Sequence, residues 1–231
     1  MNKIKLISFV AAIVLLSLGS VQPASAYIFG STSGSDPSYN PLPFNSSDVF
    51  LTLNGDILNP LKATDGGWYN GLGFHDPNNT SYMVDNDPYG PHNWFLFNIA
   101  GLNLTVTSAT LTLYSYDVSP GGDYKLFDVT TPLDHLQAGT GGVAAFDDLG
   151  SGDVYGQRWY STDDSDEYRT ITLTSAFLFD FNTAIANHLR NPNNELLSKF
   201  AIGGRIPEPA TIGLFGIGLL GFAAGRRRKA A

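Results

Sequence analysis

The sequence predicts a mainly β protein: an antiparallel β-sandwich of jelly-roll type with one late α-helix, set between two apolar terminal segments. Three observations carry that prediction. Short runs of alternating apolar and polar residues recur between clusters of Gly, Asp, Asn and Pro, the pattern of strands joined by tight turns. A single stretch, near residues 175–190, has apolar residues at helical spacing instead. Finally, the roughly 180 residues between the terminal segments contain no cysteine, and a body of that size can bury a core without disulfide staples.

Taken in order, Tyr27 to Asn45 is rich in Ser, Gly, Pro and Asn without apolar periodicity, so residues 27–47 read as a flexible lead-in. The first strand signal is Asp48–Leu53, ending at an Asn54-Gly55 turn. From there to Gly90 the chain reads as loops that carry aromatic residues. Asn93–Ile99 is almost continuously apolar, as expected for a strand buried on both faces. In Val106–Tyr116, Ala109, Leu111 and Leu113 share one face, and Thr110, Thr112 and Tyr114 the other. Pro120-Gly121-Gly122 should then turn this strand into an antiparallel partner, Tyr124–Val129. Asp134 to Gly142 reads as a link, Val143–Phe146 as a brief strand and Tyr155–Tyr160 as a weakly paired one. Tyr168–Thr174 alternates, with Ile171 and Leu173 inward. Thr174 or Ser175 is placed to cap a helix through Phe177, Phe181, Ile185 and Leu189, stopped by Asn191-Pro192 and expected to cover one open end of the core. Phe200–Ile202 is the last strand, closed by Gly203-Gly204.

The two ends say where the protein goes. Lys3 and Lys5, an apolar run from Leu6 to Leu18 and the small-x-small site Ala24-Ser25-Ala26 compose a secretory signal peptide over residues 1–26, cleaved at Ala24 and Ala26 to leave Tyr27 first. At the other end, over residues 206–231, Pro207-Glu208-Pro209 precedes the apolar run Ala210–Gly225 and then Arg226, Arg227, Arg228 and Lys229. As a helix the run reaches about 24 Å, short of a hydrocarbon core of about 30 Å, and can span with local thinning and snorkelling of the cations. By the positive-inside rule the four cations hold the C-terminus in the cytoplasm, which puts everything before Pro207 outside.

This tripartite end resembles the PEP-CTERM sorting signal of exopolysaccharide-producing Gram-negative bacteria. The resemblance rests on Pro207, Glu208 and Pro209, on the Gly-rich apolar segment and on Arg226-Arg227-Arg228. It implies that a membrane-embedded cysteine protease, exosortase, recognises the signal and cuts near Pro-Glu-Pro. The body, residues 27–205, exported by the secretion machinery and held transiently in the inner membrane by the C-terminal helix, would then pass to the outer envelope or the exterior. An ordinary tail anchor is the competing reading.

Charge narrows the partners. The chain has 13 Lys and Arg against 21 Asp and Glu; without Lys3, Lys5 and Arg226 to Lys229 the balance is 7 against 21, or −14. Such a body repels phosphate backbones, which argues against nucleic acid. The absence of cysteine removes thiol nucleophiles and thiolate zinc sites. No Gly-x-Ser-x-Gly elbow, His-Glu-x-x-His, Walker loop or helix-opening Gly-x-Gly-x-x-Gly is present, so the expectation is a non-enzymatic protein without a cofactor. The four histidines read as surface or loop residues, with His75 and His92 the pair to follow.

Two binding chemistries stay open. Asp85, Asp87, Asp147, Asp148, Asp153, Asp163, Asp164 and Asp166 could supply oxygens to a structural calcium ion, although turn formation explains most of them. Trp68, Tyr69, Tyr82 and Tyr89 are the candidates to stack on sugar rings of an exopolysaccharide, whereas Trp94 reads as core. A secreted hydrolase using a carboxylate pair is the further alternative.

Overall fold

The computed structural model describes residues 48–78 and 81–207 in full and residues 27–30 as backbone. Residues 1–26 and everything after Pro207 lie outside the described residues, and with them Ala24, Ala26, Glu208, Pro209 and the four terminal cations.

Among the described residues, eleven strands form two antiparallel sheets. They are β1 (Tyr27–Gly30), β2 (Val49–Leu53), β3 (Leu61–Tyr69), β4 (Tyr82–Asp85), β5 (His92–Asn98), β6 (Ala109–Ser115), β7 (Asp117–Ser119), β8 (Gly121–Phe127), β9 (Val154–Ser161), β10 (Glu167–Thr172) and β11 (Lys199–Arg205). The large sheet has the order β10-β6-β2-β3-β5-β11-β8-β9, and the small one β4-β1-β7. The large sheet curls until its edge strands β9 and β10 meet, which makes it a nearly closed barrel instead of the expected sandwich.

Closure has identifiable causes. Asp164, in a 3-10 turn between β9 and β10, is an acceptor for the Ser161 amide and for both Arg158 of β9 and Arg169 of β10. Burial works against its ionisation, yet the Ser161 amide and the two guanidiniums hold the carboxyl below the usual carboxylate range. Farther along, Gly156 permits close approach, since a Cβ there would lie 2.9 Å from Ile171 Cγ2 and 3.0 Å from the Thr172 carbonyl.

The barrel is filled by one face of each strand, including Val49, Leu51, Phe95, Phe97, Leu111 and Leu113. Helix α3 (Ser175–Arg190) covers one end with Phe177, Phe181 and Ile185, as its spacing predicts. Thr174 stands at its N-cap, but makes no side-chain cap; its hydroxyl donates to the Val154 carbonyl instead, tying the helix start to β9. The small sheet covers the opposite end, where Tyr82 meets Phe95 edge-on and donates its hydroxyl to the Tyr114 carbonyl at 2.6 Å.

Strand β5 is buried on both faces because α1 (Leu133–Ala138) and α2 (Gly142–Asp148) lie outside the barrel, packing Leu136, Ala145 and Phe146 with Trp94 and Leu96. The link at 134–142 thus contains a helix, and Val143–Phe146 is helical rather than extended. Its apolar residues Ala145, Phe146 and Leu149 recur at helical spacing and face Tyr69 and Trp94. Three further expectations change. The lead-in begins with strand β1; β3 runs through the stretch read as loops; and β8 pairs with β11 and β9 rather than with β6.

Candidate functional site

The end of the barrel covered by the small sheet is also where the chain leaves it. β11 lies between β5 and β8 in the middle of the large sheet and runs outward through Gly203 and Gly204, which are strand residues and not a closing turn. Both positions demand glycine. A Cβ on Gly203 would sit 2.9 Å from the Leu149 backbone, and one on Gly204 would overlap the Tyr124 hydroxyl where it donates to Asn93 Oδ1. Packing continues to Ile206, which is buried, and Pro207 begins to emerge.

A cavity of about 330 Å³ opens beside this exit, lined by Asp85, Asp87, His92, Asp147, Arg205 and Ile206 among others. His92 stacks on Phe146 at 3.9 Å and bonds through Nδ1 to the Phe146 carbonyl at 2.8 Å. A carbonyl only accepts, so Nδ1 carries the proton and Nε2 is the free acceptor. Burial is the main reason that the imidazole pKa falls from 6.5 to about 4. Burial likewise raises the Asp85 carboxyl. Arg205 Nε is enclosed without a hydrogen-bond partner among the described residues, and its guanidinium lies 5.7 Å from the Phe127 ring.

His75 is also buried, donating through Nδ1 to the Trp68 carbonyl at 2.9 Å and stacking on Tyr69. His188 is buried on α3. Of the four, His135 is exposed and His75 lies on a loop, in line with the surface or loop placement expected from the sequence, whereas His92 on β5 and His188 on α3 are buried within regular elements.

The aromatic candidates separate. Tyr69 is closed off and donates its hydroxyl to the His135 and Leu136 carbonyls, and Tyr82 is core, so neither ring offers a face to a ligand. Trp68 is partly exposed and donates to Ser81 Oγ at 3.2 Å. Tyr89 is 66% exposed. Beside these two the structure places residues that sequence reasoning passed over: Leu72 and Phe74 on the loop after β3, and Val143 at the start of α2. The alternation of Gly71 and Gly73 with Leu72 and Phe74 was the available signal, because glycine flanks are what a tight loop with an exposed apolar tip requires.

The acidic candidates do not share one role, and Asp164 is taken up by Arg158 and Arg169 at the seam. Asp148 accepts from the amides and hydroxyls of both Thr130 and Thr131, and Asp85 and Asp87 accept the amides two residues on. Asp166 takes a left-handed turn conformation at φ 57°. Among the described residues no three His, Asp or Glu side chains come together as a group that could hold a metal ion.

Among the described residues no helix is long and apolar enough to cross a membrane. No curated protein and no solved structure matches the chain. Residues 205–229 match the family model of the PEP-CTERM protein-sorting motif, which implies recognition by an exosortase. From the last residue of its final strand onward, the chain therefore carries a PEP-CTERM sorting motif, the mark of a secreted protein sorted as it passes a membrane.

Proposed function

We propose that this is a non-enzymatic envelope or extracellular-matrix protein, delivered by a signal peptide, held in the inner membrane by residues 210–225 and freed by an exosortase-like protease near Pro207-Glu208-Pro209. The observation that carries the reading is the junction: β11 ends at Arg205, Ile206 is buried and the matched motif starts there, so a cut at or beyond Pro207 leaves every described strand and helix whole. In this reading Arg226 to Lys229 fix topology, and the body needs no cofactor.

Intact mass of the protein recovered from envelope and medium tests it. The expected product begins at Tyr27 and ends near Pro209, and replacing Arg226 to Lys229 by Ser should leave unprocessed precursor. Recovery of a full C-terminal segment in the mature protein would refute the processing step.

A second reading, binding to exopolysaccharide, draws support from the outer face of β2, β6 and β10. There Phe50, Tyr114 and Tyr168 cluster with ring centroids 4.9 and 6.3 Å apart, and Thr110, Thr170 and Thr172 lie beside them, Thr170 bonded through its hydroxyl to that of the buried Thr112. Apolar rings flanked by hydroxyls suit the two-sided chemistry of a sugar. Glycan-array binding lost on Tyr168→Ala would support this role; absence of binding by the unaltered body would remove it.

A further inference from the structure

We infer that the apolar tip formed by Leu72, Phe74, Tyr89 and Val143 is a membrane-contact surface, which seats the small-sheet end of the barrel on the lipid from which the sorting segment emerges. The inference rests on the motif's membrane passage and adds an orientation to it. These four side chains are 76, 56, 66 and 49% exposed, an apolar display that a body with a complete core does not need for folding.

The tip is built, not loose. Asn70 Oδ1 accepts the Leu72 and Phe74 amides, the Asn70 amide donates to the Phe74 carbonyl, and the Gly71 amide donates to the Tyr89 carbonyl. Gly73 packs so closely on the Gly142–Val143 backbone that no Cβ fits. Trp68 lies beside Phe74 with ring centroids 6.5 Å apart. Aromatic and aliphatic side chains held on a rigid loop are the residues that settle at a bilayer interface.

Position supplies the occupant. Tyr69, which precedes the tip, pairs with His92 on β5, and β5 pairs through Asn93 with Gly204 on β11, so the strand ends leading to tip and exit are two strand spacings, or about 10 Å, apart. Tyr89 follows Pro88 and Asp87, which line the same cavity as Arg205 and Ile206. The first strand begins here too: Tyr27 is in register with Asp85, which lines that cavity as well. A segment that starts at Pro207 and turns apolar within three residues leaves little room between barrel and bilayer.

The test uses the native lack of cysteine. Single Leu72→Cys and Phe179→Cys variants of the full chain carry an environment-sensitive fluorophore at either end of the barrel; Phe179 is 72% exposed on α3. Both are reconstituted into phosphatidylcholine vesicles containing brominated lipid, and flotation reports membrane association. The expected result is flotation of both, with the probe at 72 blue-shifted and quenched and the probe at 179 unaffected. Flotation with neither probe quenched, or with both quenched alike, would overturn the orientation while leaving the sorting reading intact. Failure to float would sink both. A shift of the probe at 72 without vesicles, on adding soluble polysaccharide or on raising protein concentration, would give the tip to a glycan or to a second copy and overturn the inference.

Discussion

Acidification should loosen the barrel at its exit end, and His92 gives the effect a size. The buried imidazole titrates near 4 in the folded chain against 6.5 when free, so between those values the unfolded chain binds a proton that the folded chain refuses. Stability from this group is therefore complete above about pH 6.5 and drains away as pH falls toward about 4. The full loss is about 3 kcal/mol, of which about 2 kcal/mol is gone by about pH 5. His75, lowered by the same cause, adds to the loss, whereas Asp85, raised by burial, works in the opposite sense. A His92→Phe variant separates His92 from both, because it keeps the stack on Phe146 and cannot titrate. Urea unfolding of the chain lacking residues 208–231, at about pH 7.5 and about pH 5, reads the difference: the parent midpoint should fall about 1 M further than that of the variant. Parallel shifts in the two proteins would refute the assignment of a neutral, proton-refusing imidazole.

Two further substitutions probe the scaffold. Gly204→Ala should cost about 3 kcal/mol in urea unfolding, since its methyl must displace the Tyr124–Asn93 hydrogen bond inside the barrel; Gly101→Ala, with nothing within 4 Å, should stay within about 0.5 kcal/mol. Phe177→Ala removes a fully buried ring that stacks on Phe181 at 5.0 Å and meets Tyr155 and Phe200 edge-on, so thermal unfolding should report a loss of about 3–5 kcal/mol.

What the sequence made legible was whatever its local period encodes. β6, β10 and α3 were readable because their apolar residues keep a regular spacing, and β5 because its apolar run is almost continuous. β3 was not, because Asp65-Gly66-Gly67 looks like a turn, while in the fold a register shift between Ala63 and Asp65 absorbs it and Gly67 makes room for His75 and Trp94. Val143–Phe146 failed for the opposite reason: four residues are too few to separate a strand from one turn of helix. Pairing and closure depend on partners far apart in sequence. Nothing near Asp117–Ser119 announces β1 as its neighbour, and nothing near Asp164 announces that two arginines will meet there across the seam. Of the tip, only Tyr89 was a candidate from the sequence, where Tyr69 and Tyr82 look equally available; the fold spends those two inside the core and leaves Tyr89 exposed beside Leu72 and Phe74.

The sorting end was legible as a motif but not as a mechanical joint, and the joint follows from where β11 sits. In the proposed reading, a tether to the membrane would pull on Arg205 along the strand. An edge strand would leave such a load to one neighbour's hydrogen bonds, but β11 is bonded to β5 on one side and β8 on the other, and its direction carries the pull parallel to the strands, so several bonds share it instead of parting one after another. Gly203 and Gly204 let Leu149, Tyr124 and Asn93 close over that strand, and Ile206 ends the packed region one residue before Pro207. On the proposed reading, the load would enter the fold through this interior strand until the segment beyond Pro207 is cut, and the cut would remove the load without removing any described strand or helix.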